Sequence, residues 1–150
     1  MSFPIKKDIP YTTKFGDFDI VIENPKGSDR YWRDPITGED GITHMLVDYG
    51  YFSHSLGLDG DSVDVFVGPN EQADYAYVIK QRKVTTGKLD EAKVMLGFDS
   101  AKEAKDMYLK HYDNPNFYGG MTPYHKDVLK IALKESKNNP AVIKAKLTNA

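Results

Sequence analysis

Apolar and polar residues alternate along the first half of the chain with the two-residue period of strands. Phe18, Ile20 and Ile22 are separated by Asp19, Val21 and Glu23, and Asn24-Pro25-Lys26-Gly27 then breaks the run. Residues 30–33 resume a short aromatic-rich segment before Asp34-Pro35-Ile36-Thr37-Gly38, whose Pro and Gly suit a turn. Short segments over 42–46 and 49–52 lead to Val63-Asp64-Val65-Phe66-Val67, the strongest strand signal, which Gly68-Pro69-Asn70 stops. Residues 75–80 and 93–98 read as strands around a Thr86-Gly87 turn, making about six strands in all. The period changes after Asp99. Ser100 and Glu103 have capping-box spacing, and Ala101, Ala104, Met107 and Tyr108 recur at helical intervals until Asn114-Pro115. A second helix is predicted to open at Thr122 with Pro123 in its first turn, to bury Val128, Leu129, Ala132 and Leu133, and to end by Asn138-Asn139-Pro140. Strands first and helices last predict an α+β fold, a small antiparallel sheet or barrel covered by two C-terminal helices. The whole of 1–150 is expected as one domain, with residues 1–15 as an extended arm and 141–150 as a short helix or loose tail.

Composition narrows the class. One hundred and fifty residues fit a single core. At 40 % hydrophobic and 28 % charged, the composition is that of an ordinary soluble globular domain. The lack of cysteine excludes disulfides, thiolate metal sites and thiol nucleophiles, and fits a cytoplasmic protein. A formal charge of -2 gives no basic excess to displace counterions from a nucleic-acid backbone, so nucleic acid is not an expected partner. Residues 1–10 hold two lysines, an aspartate and two prolines without an apolar stretch, so no secretion signal is expected. No run nears the roughly 18 apolar residues of a membrane span, so no membrane partner is expected either.

The densest polar chemistry lies in Leu58-Asp59-Gly60-Asp61-Ser62-Val63-Asp64-Val65, with three carboxylates in six residues at the mouth of the strongest strand. Carboxylates held that close either rise in pKa or share a hard cation, and oxygen-only donors suit Mg²⁺, Mn²⁺ or Ca²⁺. Asp-Gly-Asp is also an ordinary solvated turn before a strand. An EF-hand does not fit, because Val63, Val65, Phe66 and Val67 take over where polar ligands should continue. What favours chemistry is company. Glu23 ends a strand, Arg30 and Arg33 follow the first turn, Tyr49 and Tyr51 precede the acidic turn, and Glu91-Ala92-Lys93 comes later. Singly, these are strand cations, core aromatics with a wet hydroxyl and a surface pair. Together, carboxylates, cations and phenols are the groups that hold a metal-bound phosphate. In an extended segment Glu91 and Lys93 share one face, and Asp90 joins Ala92 on the other.

The ordered set resembles the soluble family I inorganic pyrophosphatases over residues 18–113. Val21-Ile22-Glu23-Asn24-Pro25 is similar to that family's strand ending in Glu before an early Pro, and Arg30-Tyr31 to its lysine-tyrosine pair. Asp48-Tyr49-Gly50-Tyr51, followed by Asp59-Gly60-Asp61-Ser62-Val63-Asp64, is similar to a tyrosine upstream of the signature Asp-Gly-Asp-Pro-x-Asp, with Ser62 in place of proline. Glu91-Ala92-Lys93 resembles an acid-x-Lys step, and Lys110-His111-Tyr112 a helix-end tyrosine. The short chain and its 93–100 segment look more like the compact domains encoded by phages than like housekeeping enzymes.

The resemblance implies an OB-like barrel that hydrolyses pyrophosphate to two phosphates by direct attack of water activated by Mg²⁺, with Mn²⁺ as a substitute. It implies Asp59 and Asp64 as principal metal ligands, Glu91 as a further one and Glu23 as an outer one. Asp61 would be the base, and Arg30, Tyr49, Lys93 and Tyr112 the phosphate contacts. Self-association is also implied, since related enzymes are dimers or hexamers. Trp32, Thr86 and Asp113 depart from the pattern, where glutamate, aspartate and lysine are usual, and Arg33 stands in for an arginine by proximity alone. Those departures leave open an organic, nucleotide-type diphosphate as substrate, or a catalytically weak binding domain. His44 and His54 read as structural or surface histidines.

Overall fold

A two-residue turn closes the first hairpin. Strand β1 (Tyr11–Phe15) reverses through Gly16 and Asp17 into β2 (Phe18–Asn24), with Phe15 opposite Phe18 and Gly16 at a φ of 58°, the positive value that such tight turns require. The computed structural model describes residues 9–33, 38–55, 62–82, 89–112 and 115–136. Within them follow β3 (Asp29–Arg33), β4 (Asp40–His44), β5 (Asp48–Phe52), β6 (Asp64–Val67), β7 (Tyr75–Arg82) and β8 (Leu89–Leu96). Helix α1 (Ala101–Leu109), a 3-10 turn (Pro115–Phe117), β9 (Tyr118–His125) and helix α2 (Lys126–Ser136) complete the order. No helix among the described residues is long and apolar enough to cross a membrane.

The architecture is α+β, as the pattern predicts, but its sheet is neither closed nor wholly antiparallel. Seven strands lie in the order β1-β2-β5-β6-β8-β7-β9, while β3 and β4 form a two-stranded sheet of their own. The sheet curls without closing. Because β3 and β4 pair with each other instead of extending it, β1 and β9 remain its two edges. Strands β6 and β8 run parallel, which sets Asp64 beside Lys93.

Alternation sorts the side chains onto two faces. On one, Phe18, Ile20, Ile22, Phe52, Val65, Val78 and Val94 are buried with Leu129, Ala132 and Leu133 of α2. On the other, Tyr49, Phe66, Ile79 and Met95 are buried with Ala104 and Tyr108 of α1. Each fully buried Val, Leu, Ile, Phe or Met among them stabilises the fold by roughly 1.5–3 kcal/mol.

Helix α1 begins where its capping signal places it. The Glu103 N–H donates to Ser100 Oγ at 3.2 Å, and Glu103 Oε2 accepts from the Asp99 N–H at 3.3 Å. The second helix starts later than predicted. Thr122 and Pro123 lie in β9, opposite Val78 and Tyr77, because β7 takes a full partner on its open side. Proline is tolerated there because β9 is an edge strand. The true start of α2 is held by the Asp74 carbonyl, which accepts from the Lys126 N–H at 2.8 Å, and by His125 Nδ1, which accepts from the Asp127 N–H at 3.2 Å. Residues 11–15 of the expected arm are a paired strand. Residues 1–8, the 34–37 turn segment, Thr86-Gly87 and the 141–150 tail lie outside the described residues.

Candidate functional site

Three neighbouring strands bring together a phenol, a carboxylate and an ammonium. Tyr51 of β5 lies opposite Asp64 of β6, and Asp64 is in register with Lys93 of β8, so Tyr49, two residues from Tyr51, shares their face. Lys93 Nζ donates to Asp64 Oδ2 at 2.6 Å and to Tyr49 Oη at 2.7 Å, and the Tyr49 hydroxyl donates to the same Oδ2 at 2.9 Å. The Lys93 side chain is 3 % exposed and that of Asp64 23 %. Desolvating two charges is costly, and the hydrogen bonds of this triangle offset that cost. Removing one partner of such a pair leaves the other uncompensated, a loss of roughly 3–5 kcal/mol.

Burial is the main reason that the Tyr49 hydroxyl has its pKa pushed well above the ordinary value of 10. The cations Lys93 and Arg30 pull it down, while Asp64 and Tyr112 add to the rise. Tyr49 is therefore a neutral donor at any ordinary pH. Its strand packs tightly on β2, where a Cβ at Gly50 would strike the Val21 carbonyl, so the Asp-Tyr-Gly-Tyr segment needs glycine in its middle.

Strand β3 supplies a second cation. Its pattern leaves Arg30 and Trp32 half-buried on one face and Asp29, Tyr31 and Arg33 exposed on the other. Arg30 Cζ lies 4.7 Å from the Tyr49 ring centroid and Lys93 Nζ 5.4 Å from it, so two cations bear on one ring. Arg33, weighed as a further cation, is on the opposite face of β3 from Arg30. Tyr112 follows α1 with its ring 4.5 Å from that of Tyr108, near enough to Tyr49 to affect its titration.

Arg30, Tyr49, Asp64, Lys93 and Tyr112 thus form one cluster. Glu23 is half-buried on β2, at the irregularity between Ile22 and Asn24 where Asn24 meets Tyr49. Glu91 stands opposite Gln81, two positions before Lys93 in the continuous strand β8. Asp59, Asp61, Thr86 and Asp113 lie outside the described residues. His44 and His54 are exposed, His44 with its Nδ1 2.9 Å from Asp29 Oδ1 and His54 at a φ of 61°.

The described residues alone contain no group of three or more His, Asp or Glu able to hold a metal. The donor chemistry around Asp64 nevertheless fits a hard cation. The possible ligands there are oxygens, the Asp64 carboxylate and the Tyr49 phenol beside the Lys93 and Arg30 cations, and the one buried histidine, His111, has both ring nitrogens engaged by backbone. Sequence pattern points to the tyrosine of Lys110-His111-Tyr112 and not to His111, whose one signal is its place one helical turn after Met107.

A family model described as inorganic pyrophosphatase matches residues 10–134. The inorganic pyrophosphatase of Corynebacterium glutamicum is 37 % identical over 83 residues, which cover 49 % of this chain and 52 % of that protein. That of Leifsonia xyli subsp. xyli is 43 % identical over 58 residues, covering 33 % of this chain and 36 % of that protein. The chain spans about half the length of the first of these curated relatives, and less of the second. Among solved structures, an inorganic pyrophosphatase from Neisseria gonorrhoeae superposes with a TM-score of 0.48 at 18 % identity, over 84 % of this chain and 92 % of that one.

Proposed function

The chain belongs to the inorganic pyrophosphatase family, and from that premise we propose that it hydrolyses inorganic pyrophosphate to two phosphates by direct attack of water on phosphorus. The observation that carries this reading is the Tyr49–Asp64–Lys93 triangle with Arg30 over the same tyrosine ring. Fixed cations and a neutral phenol are suited to absorb the charge of a transferring phosphoryl group. Asp59, Asp64 and Glu91, with Glu23 outside them, would hold Mg²⁺, which supplies Lewis acidity and charge neutralisation at the diphosphate. Arg30, Lys93, Tyr49 and Tyr112 bind phosphoryl oxygens. Asp61 accepts a proton as water oxygen bonds to phosphorus and the bridging P–O bond breaks; the departing phosphate carries away the electron pair.

The test is phosphate release from pyrophosphate by the purified chain. Mg²⁺ or Mn²⁺ should support turnover, a chelator should abolish it, and Ca²⁺ should fail because its longer, looser coordination misplaces the reacting groups. Equal rates with Mg²⁺ and with chelator would overturn the reading.

One observation favours a second reading. Trp32 shares the half-buried face of β3 with Arg30, so an aromatic surface stands beside a cation of the cluster. An organic diphosphate could stack its organic part there. A nucleoside diphosphate hydrolysed faster than pyrophosphate would establish that substrate instead.

A further inference from the structure

We propose that His111 is a positioning residue: its neutral imidazole clamps the end of α1 to the segment between β4 and β5, so that Tyr112, Tyr49 and Arg30 face one diphosphate. The proposal rests on the reading above for its substrate and on separate geometry for the clamp.

His111 finishes α1. Its backbone N–H donates to the Tyr108 carbonyl at 3.0 Å, which leaves the Met107 carbonyl without the partner that a continuing helix would supply. The imidazole fills that place, with Nδ1 2.7 Å from Met107 O. A carbonyl only accepts, so Nδ1 carries the proton. Nε2 then offers a lone pair, and the Leu46 N–H donates to it at 3.1 Å. Only the neutral ring protonated on Nδ1 satisfies both contacts.

What the ring joins gives the clamp its meaning. Leu46 is three residues before Tyr49, and its neighbour Met45 exchanges backbone hydrogen bonds of 2.8 Å with Gly27 and Ser28, at the approach to Arg30. The imidazole also lies 5.0 Å from the Phe66 ring, which is 4.7 Å from that of Tyr49. Tyr112 is the next residue. One side chain, 5 % exposed, therefore links the three segments that carry the non-lysine phosphate contacts.

A proton added to Nε2 would point a donor at the Leu46 N–H. The charged groups that bear on the ring are Arg30 from β3 and Lys110 from its own helix, both cations; β6 presents the Phe66 ring, and the β4–β5 connection presents backbone. Burial, first, and these cations push the His111 pKa below the ordinary 6.5, against the upward pull of the Met107 carbonyl. The folded state thus prefers the neutral ring. The clamp's contribution to stability is full above pH 6.5 and declines as the pH falls below that unfolded value, while the clamp itself opens only as the pH falls through the lower folded value.

The experiment is ¹H–¹⁵N spectroscopy of the imidazole rings in the full chain, which has four histidines, with pyrophosphate kinetics beside it. One ring should hold its proton on Nδ1 and stay neutral below pH 6.5. When it charges, the amides of Leu46, Tyr49 and Tyr112 should shift with the same midpoint. In His111→Gln that shared transition should vanish, KM for pyrophosphate should rise about fivefold with a smaller fall in kcat, and the wild-type rise of KM in acid should disappear. A His111 ring that titrates at 6.5, carries its proton on Nε2, or charges without moving those amides would overturn the proposal whether or not the variant folds. Inertness toward pyrophosphate beside an intact ring titration would count against the proposed activity and leave the clamp standing.

Discussion

Strands β5, β6 and β8 each contribute to two environments, and the contrast shows what the sheet is for. On the α2 face, Phe52, Val65 and Val94 meet aliphatic and phenylalanine side chains and make a dry core. One residue away in each strand, Tyr51, Asp64 and Lys93 stand in register on the α1 face, where Tyr49, Tyr108 and Tyr112 bring hydroxyls and Met45, Met95 and Met107 bring pliable packing. The first face is replaceable by any apolar set of similar volume, whereas the second depends on particular atoms at particular distances. Their separation is one position in the register. Sliding β6 by a single residue would put Asp64 into the aliphatic core and Val65 at the triangle.

The largest expected effect comes from breaking the polar side of that contrast. Asp64→Asn takes away the charge that Lys93 and Tyr49 share, and pyrophosphate hydrolysis should fall by roughly 10² or more. Calorimetry with Mn²⁺ should show weaker binding beside the lower rate. A variant that kept both would mean that the α1 face is structural. The matching change on the other face is Phe52→Ala, which opens a cavity beside Phe18 and should cost about 3–5 kcal/mol of stability. Denaturant unfolding measures that loss, and KM for pyrophosphate should stay at its wild-type value.

The dry face was the more legible in sequence, and the reason is physical. Phe18, Ile20 and Ile22 repeat every second residue, and burial on one side of a sheet needs nothing else to be recognised. Ser100 and Glu103 announced α1 because a cap is satisfied within four residues. Thr122 and Pro123 misled for the opposite reason: the same pair opens a helix or sits on an edge strand, and β7, more than forty residues earlier, decides which. The site divides in the same way. Tyr49, Asp64 and Lys93 stand out in sequence as residue types in a resembling order, but the parallel β6–β8 register that joins two of them is a long-range pairing. His111 carries no signal beyond its place one helical turn after Met107, because its partners are backbone groups of Met107 and Leu46.

A finer cut separates the two roles of one residue. Tyr49→Phe keeps the ring beside Phe66 and beneath Arg30 but removes the hydroxyl from the triangle. Lys93 and Asp64 still face each other at 2.6 Å, but the hydroxyl's two hydrogen bonds, one from Lys93 and one to Asp64, are lost, so stability should fall by about 2–3 kcal/mol. The rate should fall about tenfold, equivalent to 1.4 kcal/mol of barrier. A rate loss as large as that of Asp64→Asn would give the hydroxyl a role beyond holding phosphate.

The smallest expected effect compares the helices that cover the two faces. Each has a side chain accepting from its first turn: Ser100 Oγ from the Glu103 N–H in α1, and His125 Nδ1 from the Asp127 N–H in α2. Replacing either with alanine leaves one helix-end donor to water and should cost about 1 kcal/mol, near 2–4 °C in Tm for a chain of this size. Calorimetry should find Ser100→Ala and His125→Ala alike in that respect. Their kinetics should differ. Loosening α1 disturbs Tyr108, which packs on both Phe66 and Tyr112, so Ser100→Ala should raise KM for pyrophosphate by about twofold. Loosening α2 disturbs Leu129 and Leu133 on the aliphatic face, so His125→Ala should leave KM unchanged. Equal KM shifts in the two variants would mean that the faces are mechanically coupled through the sheet, and the division between a core face and a working face would not hold.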